Sequence, residues 1–294
     1  TALTGKLAAE YALGTDAHAY LSYARGYKPT GLNFNISSPI VPTNFKKETV
    51  DALELGEKVD FLDHKLRLNA AGYYTWYRNF QFIAEDATPN NGGTANIPNA
   101  HIYGLELEAT ALPTRHWRID ANLALGAGKF TGNYYTIDAQ TANAIRAQTY
   151  ANLGYPPAYY YDPRIIAAVA AGLQNTNGNA IPKLPGVQGA VSSSFTFGAL
   201  GGDWKLHGQV RYRGSFNYRI FDAYALDHVP AYTVVDAGVD YAPHGTPVTL
   251  SLNATNLFNT LGINSRFSDP YGSNTTSVEY IDPRQVIARV AVKF

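Results

Sequence analysis

The sequence predicts an all-β fold, a transmembrane antiparallel β-barrel, and three observations carry that reading. Eleven segments alternate apolar and polar side chains with the period of two that puts successive residues on opposite faces of a strand. Short turns alternate strictly with long connections, so all the short turns fall at one end. No window approaches the roughly 18 consecutive apolar residues that a membrane-crossing helix requires. Strands of about 10 residues, apolar outside and polar inside, with short turns at one end and long loops at the other, are the signature of an outer-membrane barrel.

The segments lie near 2–13, 16–27, 47–61, 64–82, 99–112, 115–130, 185–199, 203–218, 229–242, 246–258 and 283–294. The turns "GTDA", "LDHK", "LPTRH", "GGD" and "APHGT" alternate with long stretches near 28–46, 83–98, 131–184, 219–228 and 259–282. In the fourth segment Leu66, Leu68, Ala70, Tyr74 and Trp76 oppose Lys65, Arg67 and Asn69. In the fifth, Tyr103, Leu105, Leu107 and Ala109 oppose Glu106 and Glu108. The sixth sets Trp117, Ile119 and Leu123 against Arg118, Asp120 and Asn122, and the seventh, at 187–197, repeats the pattern. The eighth is the cleanest: Trp204, Leu206, Val210, Tyr212 and Phe216 share a face, opposite Lys205, His207, Gln209, Arg211, Arg213 and Ser215. The tenth alternates at 248–258, and the last, "VIARVAVKF", carries Val286, Ala288, Val290, Val292 and Phe294 on one face with Arg289 and Lys293 on the other. Ending on a paired strand suits a closed sheet, because lipid tolerates no unpaired edge. Glu57 breaks the pattern by falling on the apolar face of the third segment, which places it near the interface or marks a bulge. Single-chain bacterial barrels have an even strand count with both ends on the short-turn side. Eleven is odd and the first segment starts on the long-loop side, so at least one further strand is expected before Thr1.

Composition excludes several function classes. With 23 Lys+Arg against 23 Asp+Glu there is no basic footprint for a nucleic acid. The absence of Cys removes disulfides and thiolate metal sites. Seven His residues form no HExxH and no i, i+4 pair, so no metal site is expected. "GAGKFTG" (126–132) lacks the first glycine of a phosphate loop and has no helical pattern after it. Ser, His and acidic residues are all present, but nothing in the sequence arranges them as a hydrolytic triad.

Five stretches in order, "YARGYKPTGLNF" (23–34), "LELGEKVDFLDHKLRLNAAGYYTWYRNFQ" (53–81), "IYGLELEATALPTRHWRIDANLAL" (102–125), "SLNATNLFNT" (251–260) and the end at Phe294, resemble the C-terminal half of a TonB-dependent outer-membrane receptor. The resemblance covers the chain apart from the loop at 131–184. It implies that residues 1–294 are the last eleven strands of a 22-stranded barrel whose lumen holds an N-terminal plug. Plug, first strands and TonB box lie outside this sequence. It further implies energised import of a scarce nutrient, most often a ferric siderophore and otherwise cobalamin, haem or an oligosaccharide. The implied partners are TonB through the missing segment, the lipid bilayer of a Gram-negative outer membrane, and the barrel-assembly machinery through Phe294. No enzyme activity, catalytic residue or cofactor is implied. A passive porin is the second reading, and an outer-membrane hydrolase a distant third.

Arg118, Arg211, Arg213, Glu106 and Glu108 project inward, where a wide lumen needs polar walls. Recognition belongs to the long loops, and the longest, at 131–184, carries "NYYT" (133–136) and "GYPPAYYYDPR" (154–164) before an apolar run, "IIAAVAAGL" (165–173), that fits a short helix. Tyr159, Tyr160, Tyr161 and Arg164 are the candidate ligand-binding residues: phenol rings stack on planar or sugar groups, and a guanidinium pairs with an anionic chelate.

Overall fold

The computed structural model describes residues 2–34, 38, 40–88, 91–155, 162–222, 227–268 and 275–294. Eleven strands form one antiparallel sheet: β1 (Gly5–Ala12), β2 (Ala17–Lys28), β3 (Glu48–Phe61), β4 (Leu66–Glu85), β5 (Gly92–Thr114), β6 (Trp117–Thr131), β7 (Val187–Ala199), β8 (Gly202–Arg213), β9 (Tyr232–Pro243), β10 (Val248–Thr255) and β11 (Gln285–Val292). Their order in the sheet is their order in the chain, with β1 and β11 as its two edges. All eleven predicted segments are present, and Thr1 lies outside the described residues.

The register keeps the two faces separate. The row Leu55, Gly72, Leu105, Leu125, Val187 crosses five strands on the outward face. The row Asn69, Glu108, Asn122, Ala190, Arg211 crosses five strands on the inward face. Leu55, Leu105 and Val187 are exposed because the outward face has only lipid to cover it. Aromatic clusters mark both margins of that face. Near the short turns Phe195 and Phe197 lie 5.9 Å apart by ring centroid, and Trp204 stacks on Tyr241 at 4.5 Å. Near the loops Tyr74 meets Trp76 at 4.5 Å and Tyr103 at 5.8 Å. On β8 the outward residues run from Trp204 to Tyr212, about 26 Å along the strand and about 20 Å of height at a tilt near 40°, which fits an apolar band of roughly 25 Å.

On the inward face, aromatic rings lie flat over glycines. A Cβ at Gly56 would sit 2.5 Å from the Tyr20 ring of the paired strand, and one at Gly104 would run into the Leu125 backbone carbonyl as well as the Tyr73 hydroxyl, so a side chain at either position would force its neighbours to shift. The β7–β8 hairpin turns on Leu200 and Gly201, both at positive φ (53° and 69°), the hand that matches strand twist.

Three expectations need correction. The connection at 83–98 is mostly ladder: β4 and β5 continue pairing to Glu85↔Gly92, so the true gap is only 86–91. Asn79, at φ 54°, stands opposite Pro98, which has no N–H to give, and neither residue joins the ladder. Above them the faces exchange, so Phe80 and Ile97 turn inward onto Phe130 and Ile181. The alternation therefore fails where the hairpin leaves the membrane. Phe216 does not extend the outward face of β8. It pairs with Val229 in a separate two-stranded ladder and is buried with Val229 and Ile263. Glu57 marks no bulge: it pairs in unbroken register with Ala19 and Ala70. It stands two outward positions above Phe61, about 10 Å in height from that margin.

The buried residues gather at the loop end, above the membrane strands. The loop after β6 folds into α1 (Ala139–Leu153) and α2 (Pro163–Ala171). The second matches the predicted short helix; α1 was not predicted. Asp138 caps its start, and Gly154 ends it at φ 68°, with Tyr155 N donating to Tyr150 O. Ile137, Ala142 and Val169 pack with Ala87 of the neighbouring loop, which makes this segment a folded cap over the sheet.

Candidate ligand-facing site

The inward face satisfies most of its charges locally. Arg67 pairs with Asp60 at 2.6 and 2.8 Å, Arg118 with Asp120 at 2.7 and 2.6 Å, and Arg211 with Asp236 at 2.8 Å. Asn69 donates to Glu108 at 3.0 Å, while Glu106 makes no hydrogen bond among the described residues. These residues line the lumen as predicted, and their mutual pairing makes most of them wall.

At the loop end of this face a recess of about 630 Å³ opens between β8, β9 and the hairpin formed by Ile263–Ser268 and Thr276–Tyr280. Its walls include Arg211, Arg213, Tyr232, Asn264, Glu279 and Tyr280. The Arg213 guanidinium lies 4.4 Å over the Phe216 ring and donates to the Asn264 carbonyl at 3.5 Å, which fixes its direction. Glu279 accepts from Asn264 Nδ2 at 3.1 Å and from Ser265 Oγ at 2.7 Å, tying the hairpin together. Two guanidiniums, two phenols and amide groups share the opening with two carboxylates, Glu279 and Asp282, and Arg211 is already paired with Asp236, so among the described residues Arg213 is the cation left with only neutral partners for a polar ligand. A second trough, on the outward face, is floored by Ala70, Ala109, Ala121 and Gly189. It faces acyl chains, and its walls are mostly apolar, with Leu68, Leu107, Leu123, Val191 and Val210.

At the same end of the sheet, a buried ion triad joins two loops. Arg219 Nη1 donates to Asp138 at 2.6 Å, and its Nε and Nη2 form a fork on Asp227 at 2.7 Å each. Asp138 and Asp227 are buried and Arg219 nearly so. Burial opposes the charge of Arg219, but the two carboxylates outweigh it and hold its pKa above the ordinary value. Asp138 meanwhile accepts from Gln140 N, Thr141 N and Thr141 Oγ1, so one carboxylate caps α1 and anchors the next loop.

Of the four sequence candidates, Tyr159, Tyr160 and Tyr161 lie outside the described residues. Arg164 is exposed and engaged at the start of α2. It bonds Asp162 at 3.1 and 2.8 Å, donates to the Tyr155 hydroxyl, and stands 5.2 Å over the Tyr155 ring. The Arg164 bond holds the Asp162 carboxyl below the usual range and keeps the helix capped by a full negative charge. Sequence reasoning missed the Arg219 triad, whose partners lie 81 and 8 residues away, and the recess hairpin. Neither has a local motif. Among the described residues no three His, Cys, Asp or Glu side chains converge as a metal site.

An antiparallel sheet with a lipid-ready outside, a charged inside and folded loops at one end defines the wall of an outer-membrane β-barrel. Residues 1–257 match the family model described as TonB dependent receptor-like, beta-barrel. The chain belongs to that family, whose members are transporters of the Gram-negative outer membrane and not enzymes. Among curated proteins it is 30% identical over 129 residues to the pesticin receptor of Yersinia pestis, covering 44% of this chain and 19% of that one. Among solved structures it superposes on the ferric yersiniabactin uptake receptor FyuA of Yersinia pestis (TM-score 0.71, 19% identity, 99% of this chain and 37% of that one). It also superposes on the siderophore receptor PiuA of Acinetobacter baumannii (TM-score 0.69, 19% identity, 98% and 35%). The chain thus spans little more than a third of the length of those receptors.

Proposed function

We propose that this chain is part of the barrel of a receptor that imports a ferric siderophore across the outer membrane with energy delivered through TonB. The observation that carries the reading is the recess at the loop end of the inward face, where Arg213, Tyr232 and Tyr280 meet beside the Arg211–Asp236 pair. The siderophore receptors among the similar proteins support the ligand class. Residues 1–294 serve as the last eleven strands of a 22-stranded barrel, and a plug and a TonB box belong to the rest of the receptor. To Tyr159, Tyr160, Tyr161 and Arg164 we assign ligand contacts, the phenols by stacking and the guanidinium by pairing with an anionic group. Phe294 is presented to the barrel-assembly machinery, and deleting it should lower the amount of receptor in the membrane.

The test is uptake of radio-iron siderophore by iron-starved cells whose only receptor for it is the full-length protein. Uptake is expected to stop on loss of TonB or of the proton gradient. Arg213→Ala with Tyr280→Ala should raise the half-saturating concentration at least tenfold at equal surface level. Uptake that persists without TonB would make the protein a passive channel. Unchanged saturation in the double variant would move the ligand away from the recess.

A further inference from the structure

The outward face changes chemistry between two successive register rows on β2 to β6. The row Tyr23, Leu53, Tyr74, Tyr103, Ala127 is aromatic and apolar. The next outward row reads Arg25, Asp51, Trp76, His101, Lys129, and the one above it contributes Arg78. Three permanent cations and a histidine thus stand on the lipid-facing side, directly above the aromatic margin that sets the depth of the barrel in the bilayer.

Their arrangement is more than charge balance. Asp51 is buried beneath the cluster and takes Arg25 Nε at 2.5 Å, Arg78 Nη1 at 2.9 Å and the Tyr23 hydroxyl at 2.5 Å. One carboxylate under two guanidiniums fixes both in position and leaves a net positive charge. Both arginine side chains remain more than a third exposed, at 38% and 57%. Lys129 is exposed and its ammonium has no partner among the described residues. It stands two strands from Arg78, about 10 Å across the sheet. A surface needing only acyl-chain contact would gain nothing from these cations, whose burial against hydrocarbon is costly. Outward positions on the loop side of an aromatic margin meet lipid headgroups, whose recurrent anion is phosphate.

We propose that Arg25, Arg78 and Lys129 bind the phosphate groups of a phosphorylated outer-leaflet lipid. Asp51 is the buried post that holds the arginine pair, with Trp76 beside it in the same row and Tyr74 and Tyr103 as the shelf one outward row below. The arginine pair grips one phosphate by its forked donors, and Lys129 takes a second as a point charge.

The test uses full-length receptor purified from outer membranes and compares retained lipid by native mass spectrometry after detergent exchange. Wild-type receptor should retain a phosphorylated glycolipid but not the same lipid after enzymatic removal of its phosphates. Lys129→Gln and the pair Arg25→Gln with Arg78→Gln should each lower retention, by about fivefold per cation removed. Lys205→Gln, on the inward face, should match wild type. Equal retention of the dephosphorylated lipid would overturn the proposal. So would wild-type retention by the variants, or displacement of the lipid by millimolar inorganic phosphate, which would mark a site for soluble anions. If the arginine double variant fails to assemble, Lys129→Gln and the dephosphorylation arm still decide.

Discussion

At the scale of single residues, Arg219 is the side chain on which the loop architecture turns. Its fork on Asp227 and its bond to Asp138 join segments whose contact no local pattern announces. Arg219→Ala would leave two carboxylates buried without their cation, a loss of about 3–5 kcal/mol for a buried pair of this kind. The expected result is faster amide exchange across Ala139–Leu153 with the membrane strands unchanged. Arg219→Lys, which keeps the charge but loses the fork, should fall between. Unchanged exchange in α1 would show that the apolar contacts of Ile137, Ala142 and Val169 hold the cap unaided. Arg164 teaches the opposite lesson about reading single residues. Its type and loop position were visible in the sequence, but its pairing with Asp162 and Tyr155 was not.

At the scale of elements, the strands were legible because lipid enforces their alternation. Each outward side chain of β8 must be apolar between Trp204 and Tyr212, and each inward one is free to be polar, so the period of two appears undiluted. The same account predicts the cost of breaking it. Val210→Arg should destabilise the full-length receptor by about 2–4 kcal/mol in refolding from urea into vesicles, whereas neighbouring Gln209→Arg should cost less than about 1 kcal/mol. Equal costs would contradict the assigned faces. Where lipid stops, legibility stops: the upper β4–β5 hairpin exchanges faces at Asn79 and Pro98, and Phe216 folds inward once clear of the ladder. Helix α1 was missed for a related reason. Its sequence, AQTANAIRAQTYANL, has no apolar stripe, and its signals are the two caps, Asp138 and Gly154. The recess escaped because its walls come from strands and a hairpin far apart in the chain.

At the scale of the whole molecule, the sheet ends in two unpaired strands, β1 and β11, and a membrane barrel must close. The proposed closure by strands of the longer receptor predicts that residues 1–294 alone form no compact, heat-resistant monomer on a semi-native gel. Such a monomer would mean that β1 and β11 pair. The central claim is that one set of side chains faces lipid and the alternate set faces the lumen. These 294 residues hold no cysteine, and in full-length receptor from which any other cysteine has been replaced, single cysteines placed along β8 report on it directly. In intact outer membranes, a water-soluble thiol reagent should label cysteines at Gln209 and Arg211 and leave those at Leu206 and Val210 unlabelled. Uniform labelling along the strand, or labelling of the opposite set, would contradict the account.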